Sequence, residues 1–271
     1  MYMKGLKRYD LHVQPTTRQA KPLTKEVLTR LNTYLFASAR PLRVWRCVWR
    51  INLSFYCLLR WDDVCRLQVS CLSCNPPLFP LLCMCTISQV SGFVLHDGPQ
   101  GPEYHFHLQG GKTMMHGKDK PRYPFLKRVC QLTTSFYSHS FRFFRCLYSL
   151  PGSPDCPVSL TRQYFAYLGP DWAGSVIPNC LPTDRNRPHP SRVSNYTTAK
   201  EDLQYVLQAI GEDPKGYAQH SMKRGGATEA ARNGACVDDI RVAGDWTSNR
   251  TAELYIANPN PVNQLLRPYL L

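Results

Sequence analysis

The sequence predicts an α+β fold, mainly helical, with one small sheet set between two groups of helices. Three observations predict it. Apolar residues recur at helical spacing towards both ends of the 271-residue chain. Short β-rich segments separated by Gly and Pro occupy its middle. No internal repeat is present, so residues 21–271 read as one domain and residues 1–20 as a linker leading into it.

The elements follow in order. "PLTKEVLTRLNTYLF" is a helix that Thr24 can cap, with Val27, Leu28, Leu31 and Leu35 on one stripe. "LRVWRCVWRINLSFYCLLRWDDVCRL" is a longer helical region, one helix or two, with Arg60 in its second half. "GFVLHD", "YHFHLQGG" and "RYPFLKRV" read as three strands. Residues 151–195 are loop-rich, and "LPTDRNRPHPSRVSN" reads as an exposed linker. "TTAKEDLQYVLQAIGED" is an amphipathic helix with Leu203, Val206, Leu207 and Ile210 facing one way and Gly211 at its end. Three further helices follow, divided near Gly234 and Gly244. Gly225 and Gly226 fall inside the first of these, where each costs about 1 kcal/mol against alanine, so close packing must ask for them.

The formal net charge of +14 favours a polyanionic partner, most often nucleic acid. The 12 cysteines follow a basic, polar start, "MYMKGLKRYD", without an apolar signal core, so they read as reduced thiols of an intracellular protein. No run reaches the roughly 18 apolar residues of a membrane helix, and no membrane partner is expected.

One segment breaks the pattern. "QVS" occurs at Gln68–Ser70 and again at Gln89–Ser91, and deleting residues 69–89 joins "DDVCRLQ" to "VSGFVLHDG". Val-Ser can be encoded in the form of an intron donor and Gln in that of an acceptor. Residues 69–89 therefore read as an insertion, a translated intron. The rival is a zinc knuckle built from Cys71, Cys74, Cys83 and Cys85, whose C-x-C half is unusual for structural zinc.

A constellation of polar residues suits one chemistry. A nucleophile attacking a phosphodiester builds charge on two non-bridging oxygens, which guanidiniums and neutral N–H donors stabilise. A lysine can protonate the departing oxygen, and a tyrosine can hold the phosphate covalently. Arg60 is followed three residues on by Asp63. Lys112 lies in the glycine-rich "LQGGKT" between predicted strands. "HSMKRGGAT" supplies His220 and Lys223, "GDW" supplies Trp246, and "AELYI" supplies Tyr255.

With these residues the sequence resembles the tyrosine recombinase (phage-integrase-like) family, from about "KGLKRYD" to "YIANP". Through "HSMKRGGATEAA", and a Trp where many relatives carry His, it resembles the DIRS-like and Crypton-like recombinases of eukaryotic mobile elements. The family pattern is Arg, Lys, His-x-x-Arg, His or Trp, then Tyr. Arg60 falls on the first arginine, Lys112 on the hairpin lysine, His220 on the motif histidine, Trp246 on the His/Trp position and Tyr255 on the nucleophile.

The resemblance implies a catalytic domain with a three-stranded antiparallel sheet, and DNA breakage and rejoining through a 3′-phosphotyrosine. It implies no metal or other cofactor, duplex DNA as partner, self-association on that DNA, and a nuclear location. Lys223 stands at the second arginine position and lacks the planar fork, so slow cleavage is expected. Arg224, next along the helix, is expected to point about 100° away. The family's N-terminal clamp domain is not found, because the sequence begins where the linker into the catalytic domain lies. These departures keep a second reading open, a catalytically decayed DNA-binding remnant of a mobile element. A type IB topoisomerase-like enzyme is a third.

Structural roles compete at each position. Arg60 can be a helix-end cation, and Lys118 or Lys120 can replace Lys112. His220 can cap or pack, Trp246 can be core, and Tyr255 can be a packed aromatic. His105 and His107 alternate on one strand, with no third metal ligand in view.

Overall fold

The structure, a computed structural model, describes residues 19–65, 67–69, 93–98, 101–107, 144–147, 150, 153, 155–169, 172 and 174–257. Helix α1 (Lys25–Phe36) begins at Thr24, whose side chain accepts the Val27 N–H, and buries Val27, Leu28, Leu31 and Leu35 as the sequence stripe predicts. Helix α2 (Leu42–Tyr56) follows Pro41 and is buried along nearly its whole length from Val44 to Phe55. It is the central post of the fold, touching α1 and four later helices.

The long helical region does divide in two. After Cys57 the backbone of Leu58 turns left-handed, with φ of 51°, a conformation that costs a bulky L residue roughly 1–2 kcal/mol. Helix α3 (Trp61–Cys65) starts beyond this turn, so Arg60 lies at the break rather than inside a helix. The Asp63 carboxylate accepts the Arg60 backbone N–H at 2.9 Å, half of a capping box. That is the local reason for an acid three residues after Arg60.

Next come β1 (Gln68–Val69), β2 (Phe93–Gly98), β3 (Gly101–His107) and β4 (Phe144–Leu147). The last three form an antiparallel sheet in the order β2-β3-β4, with Phe93 opposite Phe106 and Tyr104 opposite Leu147. Its third strand is Phe144–Leu147. "RYPFLKRV", predicted as a strand, lies outside the described residues, as do Lys112 and the 69–89 insertion beyond Val69.

Residues 151–195 hold more regular structure than their prolines suggest. Helix α4 (Pro157–Leu168) has Pro157 in its first turn and buries Val158, Thr161, Tyr164, Phe165 and Leu168. This helical period was readable in "PVSLTRQYFAYL". Trp49 of α2 stacks on Tyr164 with ring centroids 4.9 Å apart. Strand β5 (Gly174–Ser175) pairs with β1, and β6 (Pro178–Cys180) pairs with β7 (Pro188–Val193). The predicted linker therefore contains a strand, although most of it is exposed.

Helix α5 (Tyr196–Ala209) is capped by Asn195 and ends at Gly211, whose φ is 72°. Asp202 on α5 accepts from Arg43 Nε at 2.7 Å and Arg46 Nε at 2.8 Å, tying α5 to α2. Helices α6 (Ser221–Arg232), α7 (Val237–Ala243) and α8 (Asn249–Tyr255) complete the described chain. Among the described residues, no helix is long and apolar enough to cross a membrane.

Candidate functional site

The site is assembled by α6, α7 and α8. Helix α6 approaches its neighbours at backbone distance. A Cβ on Gly225 would lie 1.9 Å from the Leu23 carbonyl oxygen, and one on Gly226 would lie 2.0 Å from that of Phe55. Only glycine permits both contacts. The Leu23 N–H also donates to Ser221 O at 2.9 Å, so the first turn of α6 is locked to the segment before α1 and to the end of α2.

His220 stands at the start of α6 with its ring exposed. The residue before it, Gln219, is buried and accepts from the guanidinium of Arg50. Arg50 is buried on α2, with its guanidinium carbon 4.9 Å from the Trp61 ring centroid. Its position in an otherwise apolar helix stripe was the signal for this support, and the sequence reading did not use it.

Gly244 ends α7, and Asp245 follows with a left-handed φ of 53°. This turn brings the Trp246 ring over Gly244, where an added Cβ would lie 1.9 Å from a ring carbon. Trp246 is buried against Leu58, Ala227, Ile240 and Ala252, so it is core and site wall together. Its indole nitrogen is buried and, among the described residues, has no hydrogen-bond partner. A buried N–H without a partner is costly.

Helix α8 is capped by Ser248 and anchored by buried Ala252, and Tyr255 lies at its end, half-buried. The Tyr255 hydroxyl is 3.3 Å from His220 Nδ1, and its ring centroid is 4.7 Å from that of Trp246. Just beyond, the Ala257 N–H donates to Thr228 Oγ1 at 2.8 Å and pins the end of α8 back onto α6. With its proton on Nε2, His220 accepts the phenolic proton through Nδ1, so the pair can activate the tyrosine oxygen.

Lys223 lies in the same group but faces inward. It is 1% exposed, and its ammonium donates to Gly244 O at 2.6 Å and lies 4.4 Å from the Trp246 ring centroid and 6.0 Å from that of Tyr255. Arg224, expected to point away from the site, is half-buried, and its Nη1 donates to Gln19 Oε1 at 2.7 Å. Helix rotation does separate the two side chains. It is Lys223 that the core claims.

Arg60 follows Leu58, which packs with Trp246 and Ala252, by two positions. Its side chain is half-buried, and among the described residues none receives a hydrogen bond from its guanidinium. The structure thus brings His220, Lys223, Trp246 and Tyr255 together, and Arg60 is linked to them along the chain, two residues after Leu58.

No family model matches the chain, and no curated protein matches it. Solved structures do. One is the XerH site-specific recombinase bound to difH substrate in a pre-cleavage complex, at TM-score 0.51 and 11% identity, covering 93% of this chain and 53% of that one. Another is the same recombinase on palindromic difH substrate in a post-cleavage complex, at TM-score 0.51 and 13% identity, covering 92% and 51%. The chain spans about half the length of these proteins. At such identity the likeness establishes the fold: a mostly helical unit with a small antiparallel sheet, shared with site-specific recombinases.

Proposed function

We propose that this chain is a recombinase-like protein that breaks and rejoins duplex DNA through a bond between Tyr255 and a 3′ phosphate. The observation that carries the reading is the meeting of Tyr255 with His220 at 3.3 Å, beside the indole of Trp246. The tyrosine oxygen attacks phosphorus, its proton passes to His220, and the bond to the 5′ oxygen breaks. Trp246 and Arg60 donate to the non-bridging oxygens as charge develops there. Lys112 is the proposed proton donor to the departing oxygen. The fold shared with site-specific recombinases and the net charge of +14 both support duplex DNA as the partner. The reading extends to self-association on DNA, a mobile-element origin and a nuclear location.

The test is covalent capture. The native chain and Tyr255→Phe are incubated with a pool of nicked duplexes of randomised sequence, and adducts are resolved under denaturing conditions. Adducts from the native chain alone support the reading. The burial of Lys223 favours the second reading, a DNA-binding remnant without cleavage. Tight duplex binding with no adduct from either chain is its signature.

A further inference from the structure

We propose that the cavity between α2 and α5 binds one small monovalent anion of the halide class, with Arg50 as its cation and Ser194 as its hydroxyl donor. Halide binding here needs none of the chemistry proposed for Tyr255.

Unbalanced charge is the first ground. Arg43, Arg46 and Arg50 follow one another at intervals of three and four residues, so they share one face of α2. Asp202 is the carboxylate that meets this face, and it accepts from Arg43 Nε at 2.7 Å and from Arg46 Nε at 2.8 Å. Arg50 is 2% exposed, and among the described residues no carboxylate forms an ion pair with it. Its guanidinium donates to Gln219 Oε1 and to Cys47 Sγ at 3.8 Å, and it stands 4.9 Å from the Trp61 ring centroid. These partners are neutral at pH 7, since burial pushes the Cys47 thiol up to about 11. A buried cation among neutral groups lacks the negative charge that ordinarily accompanies it.

The second ground is a space that opens beside this cation. Arg46, Arg50, Trp61, Ser194 and Asp202 line a small cavity with room for about one water-sized particle. Ser194 is 4% exposed, and among the described residues its Oγ has no hydrogen-bond partner. Its backbone N–H donates to Ile177 O at 2.9 Å, which fixes the residue in the wall. Both Asp202 oxygens already accept from arginines. A hydroxyl and a guanidinium thus border one space as donors. A phosphate, with its shell of oxygens, is too large for it, and a single-atom anion is not. Water matches the size but brings no charge.

The third ground is position. Arg50 holds Gln219, which is 4% exposed and immediately precedes His220 at the start of α6. An anion that balances Arg50 keeps its guanidinium in the core, and so steadies the join between α2 and α6. Among the lining residues described, Trp61 alone is not buried, so exchange with solvent passes its ring.

A ligand that binds only the folded chain raises stability with the logarithm of its concentration once that exceeds Kd. The native chain, Ser194→Ala and Arg50→Met are melted in sodium chloride, sodium bromide and sodium gluconate mixed at constant ionic strength. The native melting temperature should rise as chloride or bromide replaces gluconate, an anion too bulky for the cavity. Ser194→Ala should need about tenfold more chloride for the same rise, because one hydrogen bond to the ion is gone. Arg50→Met should lose the rise altogether. Where Arg50→Met does not fold, crystals of the native chain grown in bromide decide, with an anomalous peak expected between Arg50 and Ser194. Equal melting in chloride and gluconate means that water fills the cavity and overturns the proposal. A chloride response unchanged in Ser194→Ala overturns it too, as does a bromide map without a peak at this place.

Discussion

At the scale of single residues, Lys223 shows how one side chain can look catalytic and be held by the core. Its ammonium is almost wholly enclosed and hydrogen-bonded to Gly244 O. Methionine matches its length but donates nothing, so Lys223→Met leaves the Gly244 carbonyl unpaired. The expected cost is about 1–3 kcal/mol, measured by denaturant unfolding. A midpoint equal to that of the native chain would show that the carbonyl finds another donor. His220, Trp246 and Tyr255 were legible in the sequence because their spacing reflects how α6, α7 and α8 follow one another. The inward seating of Lys223 was not. Lys223 and Arg224 both lie within one turn of His220, and only the seating of α6 against Leu23 and Phe55 decides which faces inward.

At the scale of elements, α6 is fixed by the absence of two side chains. A methyl group on Gly226 would strike the Phe55 carbonyl oxygen and the Leu58 side chain. The clash is with backbone and cannot be relieved by a rotamer change. Gly226→Ala should therefore cost about 3 kcal/mol or more, despite alanine's better helix propensity. Thermal unfolding measures this, and a neutral or stabilising result would mean that α6 can shift without loss. The glycine pair was readable as a packing demand, but its partners were not, because Leu23 and Phe55 lie 202 and 171 positions earlier in the chain.

A second element-scale link is the polar network that joins α1 and α2 to the start of α4. Burial alone would raise the Asp155 pKa, but hydrogen bonds from Thr29 and Asn32 and the Lys25 ammonium outweigh it and hold it below the ordinary carboxylate value. The unfolded chain therefore binds this proton more readily than the folded one. The stabilisation is fully present above the ordinary carboxylate pKa and is lost as pH falls through the depressed folded value. Asp155→Asn should lower the melting temperature at pH 7, and the difference from the native chain should shrink towards pH 3. A difference that stays constant across that range would remove the carboxylate's charge from the account.

At the scale of the whole molecule, charge is the property that the sequence states most directly. A chain of net charge +14 that neutralises about five phosphates should bind duplex DNA with a log–log salt slope near −4 to −5. Filter binding across a salt series measures it, and a slope near zero would exclude the backbone as the main contact. The helix–sheet–helix order was equally legible, since amphipathic stripes and Gly/Pro-bounded strands survive in the linear text. Helix α4 was not recognised, because prolines and short polar turns crowd both of its sides.

One contact sets which parts of the site a single copy supplies. The bond from Ala257 to Thr228 returns the end of α8 to the body that carries His220, so the hydroxyl and its proton acceptor travel on one polypeptide. Under the proposed chemistry, damage is then private. A copy that lacks the hydroxyl and a copy that lacks the imidazole, mixed in one tube, do not repair each other, and each intact copy owes its competence to its own sequence alone.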